Sequence, residues 1–182
     1  MSTQKSVRDP AGSVEASEAL QLSQEKTEQL VEALNSDLAA TYVLYFQVKK
    51  HHWNVEGAEF NDIHVFLGEA AEALEEGADE IAERVQALGG VPLARGAQLE
   101  EHAPIEPEDD DVYDIRTSLA NDMAAYGEII EQVREHVTLA TQLGDHATAE
   151  LLRQQLLEIE DHAHHLEHYL EDDTLVTEAS MD

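Results

Sequence analysis

Four side chains carry nitrogen and oxygen donors at spacings that metal chemistry can use: His52, His64, Asp79 and Glu83. The stretch HHWNVEGAEFNDIH sets His52 and His64 on either side of a turn centred on Gly57. A chain reversal there brings two imidazoles together, where they could share one first-row transition metal ion. The alternative is that one histidine caps a helix and the other packs. Asp79 and Glu83 are spaced i, i+4, so both carboxylates lie on one helix face, placed to clamp a cation or simply to solvate an acidic surface. The chain has no cysteine, which excludes thiolate-bound zinc, iron–sulfur clusters, disulfides and thiol nucleophiles. Any metal must be held by nitrogen and oxygen.

Helix length decides how the two halves combine. His64 and Asp79 are 15 residues apart, and a rise of 1.5 Å per residue separates them by about 22 Å on one helix. They cannot share a metal within one chain. If that helix packs antiparallel against its own copy about a two-fold axis, His52 and His64 of one chain can meet Asp79 and Glu83 of the other, giving two equivalent sites per dimer. Between these ends Glu72, Glu75 and Glu76 fall within roughly a third of the helix circumference measured from His64. That stripe is only a charged surface if it faces solvent. If it faces an enclosed space, it offers oxygen ligands for nucleating ferric mineral.

The elements that must position these groups are helical, because apolar residues recur at helical spacing almost throughout and no stretch alternates long enough for a strand. A first helix is expected over 23–52, with Leu30, Leu34, Leu38, Tyr42, Tyr45 and Phe46 on one face. A second is expected over 61–88, stopped by GGVP at 89–92. The segment 91–110, rich in proline, glycine and acid, is long enough to cross the bundle and has room for one short turn near 99–102. A third helix is expected over 112–143, opening after the acidic run at 108–111, and a fourth over 146–170. Residues 25–171 then form one domain between polar tails, 1–24 and 172–182. The expected fold is all-α: a ferritin-like four-helix bundle with a long crossover between helices 2 and 3, although these lengths alone also suit other four-helix topologies.

Taken together, KKHHWNVEGAEFNDIH followed by DEIAERVQALGGVP resembles the double signature of the Dps family, the small ferritin-like proteins of starved and peroxide-stressed cells. The resemblance covers all four helices. It implies a hollow homo-oligomer, a dodecamer built from two-fold dimers, in which Fe(II) is oxidised between subunits by hydrogen peroxide in preference to O2 and stored as ferric mineral. By the same resemblance His52, His64, Asp79 and Glu83 match the family's ferroxidase ligands, Trp53 the aromatic beside them, and Asp145 and Glu150, flanking Thr148, the region of a cation-drawing pore, although Asp145 suits a cap at a helix N-terminus equally well. One ligand departs from the pattern: the family commonly carries an acid four residues after the second histidine, where this chain has Gly68. One strong iron position is therefore expected rather than two equal ones. In the last helix His162 and His165 are spaced i, i+3 and His164 and His168 i, i+4; such pairs can chelate a transition metal and are not a usual family feature. Ferritins and bacterioferritins with a site inside one chain need E-x-x-H motifs, and this sequence has none.

Charge bears on the remaining rival, a DNA-compacting structural protein. Forty Asp and Glu against ten Lys and Arg leave a formal charge of -30, and only Lys5 and Arg8 charge the N-terminal tail positively. Binding through phosphate neutralisation is disfavoured on such a surface. No apolar stretch has the length of a signal peptide or of the roughly 20 residues that span a bilayer, so a soluble, cytoplasmic protein without membrane contact is expected. The acidity suits a salt-loving source, because at 1 M salt the Debye length shrinks to about 3 Å and self-repulsion is screened. Dilution from about 1 M to about 0.1 M salt should therefore lower the melting temperature or dissociate the assembly as that length grows to about 10 Å. A melting temperature and particle size unchanged by dilution would contradict this reading.

Overall fold

Leucine, isoleucine and alanine at every third or fourth position give each helix one buried stripe, and the four stripes close on each other. The computed structural model describes residues 17–171 together with Val7 and Val14; most of the expected N-terminal tail, with Lys5 and Arg8, and all of 172–182 lie outside the described residues. α1 (Gln24–Asn54) buries Leu30, Leu34, Leu38, Leu44 and Val48, and α2 (Phe60–Ala87) buries Ile63, Leu67, Leu74, Ala78, Ile81 and Val85 against it. α4 (Ile115–Leu143) and α5 (His146–Leu170) form the second hairpin, contributing Leu119, Ile129, Val133, Leu152, Ile159 and Leu166 to the same core. α1 packs on α4 and α2 on α5, so the two hairpins complete a four-helix bundle. The described residues include no strand, and none of their helices is long and apolar enough to cross a membrane.

The crossover from α2 to α4 runs over α1 and carries the short helix α3 (Gly96–His102), one turn earlier than the sequence suggests. α1 holds it at both ends. The Asn35 side chain donates to the Val91 carbonyl at 3.2 Å and accepts from the Leu93 amide at 3.0 Å. Near the other end Lys50 donates to the carbonyls of Asp109 (2.6 Å) and Asp111 (3.1 Å).

Two expectations are corrected here. The acidic run 108–111 does not open the third helix: α4 starts at Ile115, capped by Asp114, whose carboxylate accepts from the Thr117 amide at 3.0 Å. The run belongs to the crossover, where Glu108 meets Lys50 and His51. Phe46, expected on the core face of α1, is 58% exposed, because the helix has rotated past the stripe by that point and Gln47 and Val48 turn inward instead.

A buried ion pair ties α1 to α4 midway along the bundle. Asp37, fully buried, accepts from His136 Nδ1 at 2.8 Å and from the Gln132 amide at 2.7 Å. Burial alone would lower the His136 pKa, but the hydrogen bond and charge of Asp37, with the charge of Glu135, outweigh it and hold it above its ordinary 6.5. A raised folded-state pKa adds stability that is fully present below the unfolded value and lost as pH rises through the folded one. His136→Gln should therefore be most destabilising below pH 6.5 and lose its effect as the pH climbs past the raised value. Urea unfolding of both proteins across that range measures it; a difference independent of pH would contradict the pairing.

Candidate metal centre

The turn between α1 and α2 is built to hold two imidazoles. α1 ends at Asn54, and Gly57, at φ 122°, reverses the chain in a conformation that side chains with a Cβ rarely adopt. Across this reversal the rings of His52 and His64 stack, centroids 3.9 Å apart and 17° from parallel. Each ring is tied to the other residue's backbone: His52 Nδ1 lies 2.8 Å from the His64 carbonyl oxygen and His64 Nδ1 lies 3.0 Å from that of His52. A carbonyl only accepts, so both Nδ1 atoms carry protons and donate. If the rings are neutral, both Nε2 atoms keep free lone pairs. Reciprocal backbone bonds of this kind fix tautomer and ring orientation, as at metal-binding histidines.

α2 is one unbroken helix of 28 residues, so the rise argument holds: Asp79 stands about 22 Å and Glu83 about 28 Å from His64. Both carboxylates are exposed, and neither pairs with another described residue. Glu72, Glu75 and Glu76 line one open concave surface together with Asp79 and Tyr42, joining the carboxylate pair to the acidic stripe. Among the described residues, no three His, Asp or Glu side chains converge on a common metal position within the single chain. Trp53, next to His52, is 66% exposed, and with Phe46 it lines a groove between α1 and the crossover that also includes Tyr42, Val43 and Leu99.

Sequence reasoning passed over His51. Its burial was legible in principle, since Leu44, Val48 and His51 continue one helical stripe, and a buried imidazole demands partners. It finds two. Nδ1 lies 2.9 Å from both carboxylate oxygens of Asp122, and Nε2 lies 2.7 Å from Glu108. Burial would lower the His51 pKa, yet the hydrogen bond and charge of Asp122, then those of Glu108, reverse that and raise it. Gln47 donates to Asp122 and Asn121 to Glu108, so the network joins α1, the crossover and α4 directly behind His52.

These features can be set beside known proteins. The family model of the ferritin-like domain matches residues 31–176. Over all 182 residues and the full length of the relative, the chain is 66% identical to the "DNA protection during starvation protein" of Halobacterium salinarum. The chain belongs to the Dps family of ferritin-like proteins. The crystal structure of the archaeal Dps homologue from Halobacterium salinarum superposes with a TM-score of 0.92 at 66% identity, covering 98% of this chain and 99% of that one. Dps from Vibrio cholerae, described as a member of the ferritin-like diiron-carboxylate proteins, superposes with a TM-score of 0.81 at 28% identity, covering 86% and 98%.

The geometry bears on two further positions singled out in the sequence. Gly68, where the family commonly has an acid, faces His52: a Cβ there would sit 3.2 Å from His52 Cε1. A helix-interior glycine costs about 1 kcal/mol relative to alanine, and at this position it gives the His52 ring room to stack on His64. Asp145, which suits a pore acid and a helix cap alike, is a cap here. It caps α5 by accepting from the Thr148 amide at 3.1 Å, and Arg84 grips both its oxygens at 2.8 and 2.7 Å. Burial would raise its pKa, but Thr148 and Arg84 hold it below the usual carboxylate value. Of the two pore candidates, only Glu150 is an exposed acid.

Asp145→Ala removes a cap and strands a largely buried guanidinium, so it should cost about 3 kcal/mol or more. Thermal unfolding measures it. A variant of normal stability that loads iron slowly would return Asp145 to the pore.

Proposed function

We propose that this Dps-family protein oxidises Fe(II) at sites shared between two-fold-related subunits and stores the ferric product, as mineral, inside a hollow dodecamer in the cytoplasm. The observation that carries the reading is the pair of anchored imidazoles: both Nδ1–H groups are committed to backbone carbonyls, leaving both Nε2 atoms for a metal. Asp79 and Glu83 supply the oxygen half from the partner subunit, and the distance along α2 favours an intermolecular site. Trp53 and Phe46, large apolar side chains left 66% and 58% exposed, fit a face that a second subunit covers.

Iron is the substrate here. Mixed imidazole and carboxylate donors hold Fe(II) and favour Fe(III), and an incomplete coordination shell admits the oxidant. Two Fe(II) ions give one electron each to one hydrogen peroxide; the O–O bond breaks, two protons are taken up, and two waters leave. Paired electron delivery releases no hydroxyl radical. The acidic stripe of Glu72, Glu75, Glu76 and Asp79 then offers oxygen ligands on which ferric ions nucleate. With Gly68 in place of an acid, one iron is held strongly and its neighbour weakly, by water or by an acid such as Glu72.

The Halobacterium relative is named for protecting DNA. For this chain we assign that protection to removal of iron and peroxide rather than to coating, because a formal charge of -30 opposes contact with a polyanion.

Anaerobic loading with Fe(II), followed by peroxide, should give ferric absorbance far faster than buffer, on a particle that sizes as a dodecamer. Replacing Asp79 and Glu83 together by Ala should slow the oxidation at least tenfold and leave the particle assembled. An unchanged rate would remove the carboxylates from the site. A DNA mobility shift at the working salt would reopen the coating reading.

A further inference from the structure

The last two turns of α5 carry a histidine pair that the iron chemistry above does not use. His162 and Tyr169 turn inward and pack on Phe66, their ring centroids 6.0 and 5.5 Å from its own, and His165, with its side chain 53% exposed, lies 5.8 Å from the same ring. His164 and His168 occupy the opposite face, with side chains 61% and 58% exposed. Their Nε2 atoms face each other at 3.1 Å. Each ring's other nitrogen lies 3.4 Å from a carboxylate oxygen, His164 Nδ1 from Glu167 and His168 Nδ1 from Glu171.

We propose that His164 and His168 form a surface site for one divalent first-row transition metal ion. A carboxylate beside each Nδ1 favours a proton there, which turns both Nε2 lone pairs toward the same point. At 3.1 Å the two nitrogens share either a proton, in an N–H···N hydrogen bond, or a metal ion that displaces it. The spacing fits a metal: two metal–nitrogen bonds of about 2.05 Å that span the gap subtend about 98°, between the cis angle of square-planar or octahedral ions and the tetrahedral angle. Water fills the remaining positions. A neutral imidazole pair binds Cu(II) most tightly, then Zn(II) and Ni(II), and Fe(II) more weakly. The site does not depend on the ferroxidase reading, because it shares no residue with His52, His64, Asp79 or Glu83.

Zn(II) added alone to the assembled full-length protein tests it, with free metal followed by a chromophoric chelator. The wild type should bind one more Zn(II) per chain than His164→Ala/His168→Ala, whose exposed positions leave folding intact. Either single substitution should weaken that Zn(II) at least tenfold, about 1.4 kcal/mol, and His165→Ala should leave it unchanged. Glu167→Gln/Glu171→Gln should weaken it about tenfold while retaining the stoichiometry. Equal stoichiometry and affinity in the wild type and the double histidine variant would overturn the proposal, and so would an equal loss in His165→Ala. Peroxide-driven iron oxidation, measured in parallel, should be the same in all of these variants; its failure in the wild type would bear on the ferroxidase reading alone.

Discussion

A straight helix holds its ends apart, and the proposed chemistry of this chain turns on that constraint. α2 runs unbroken from Phe60 to Ala87, with the histidine pair at its start and the carboxylate pair near its end. About 22 Å of rigid helix separates His64 from Asp79. Each half is well formed: the imidazoles are stacked and tied to backbone, and the carboxylates are exposed and unpaired among the described residues. Neither half is a complete metal site. On the proposed reading activity is a property of association, and an isolated subunit carries only the two separate halves of the centre.

The surrounding structure stiffens the histidine end. Behind His52, the buried His51 is gripped between Asp122 of α4 and Glu108 of the crossover. A buried ion pair adds little net stability, but removing one partner costs about 3–5 kcal/mol, so such networks fix geometry strongly once formed. Here the network anchors the last turn of α1, and through it the ring of His52. Gly68 serves the same end by absence, since any side chain at that position would crowd the His52 ring.

Local signals made much of this legible. Spacing alone placed the last helix at its observed bounds, GGVP marked the end of α2, and the turn around Gly57 brought His52 and His64 together as their flanking periodicity required. Pairings distant in sequence stayed hidden. Arg84 and Asp145 are 61 residues apart and His51 and Asp122 are 71 apart, so no local rule links them. Asp145 accordingly read equally well as pore acid or helix cap until its partner was visible. The acidic run 108–111 misled for a related reason: acids suit a helix N-terminus, but Lys50 and His51 of α1 offered Glu108 and its neighbours stronger partners, and the helix waited for Asp114. Phe46 broke from the expected core face because an ideal stripe drifts around a helix 31 residues long.

The claim that the metal centre is completed only between subunits is tested most directly by complementation. One chain would lack both imidazoles through His52→Ala/His64→Ala, and the other both carboxylates through Asp79→Ala/Glu83→Ala; each assembled alone should be nearly inactive. Co-assembled in equal amounts, mixed dimers regain one intact site of two, so random pairing should restore about a quarter of the wild-type rate of peroxide-driven iron oxidation. Mixed particles as inactive as either parent would contradict an inter-subunit site.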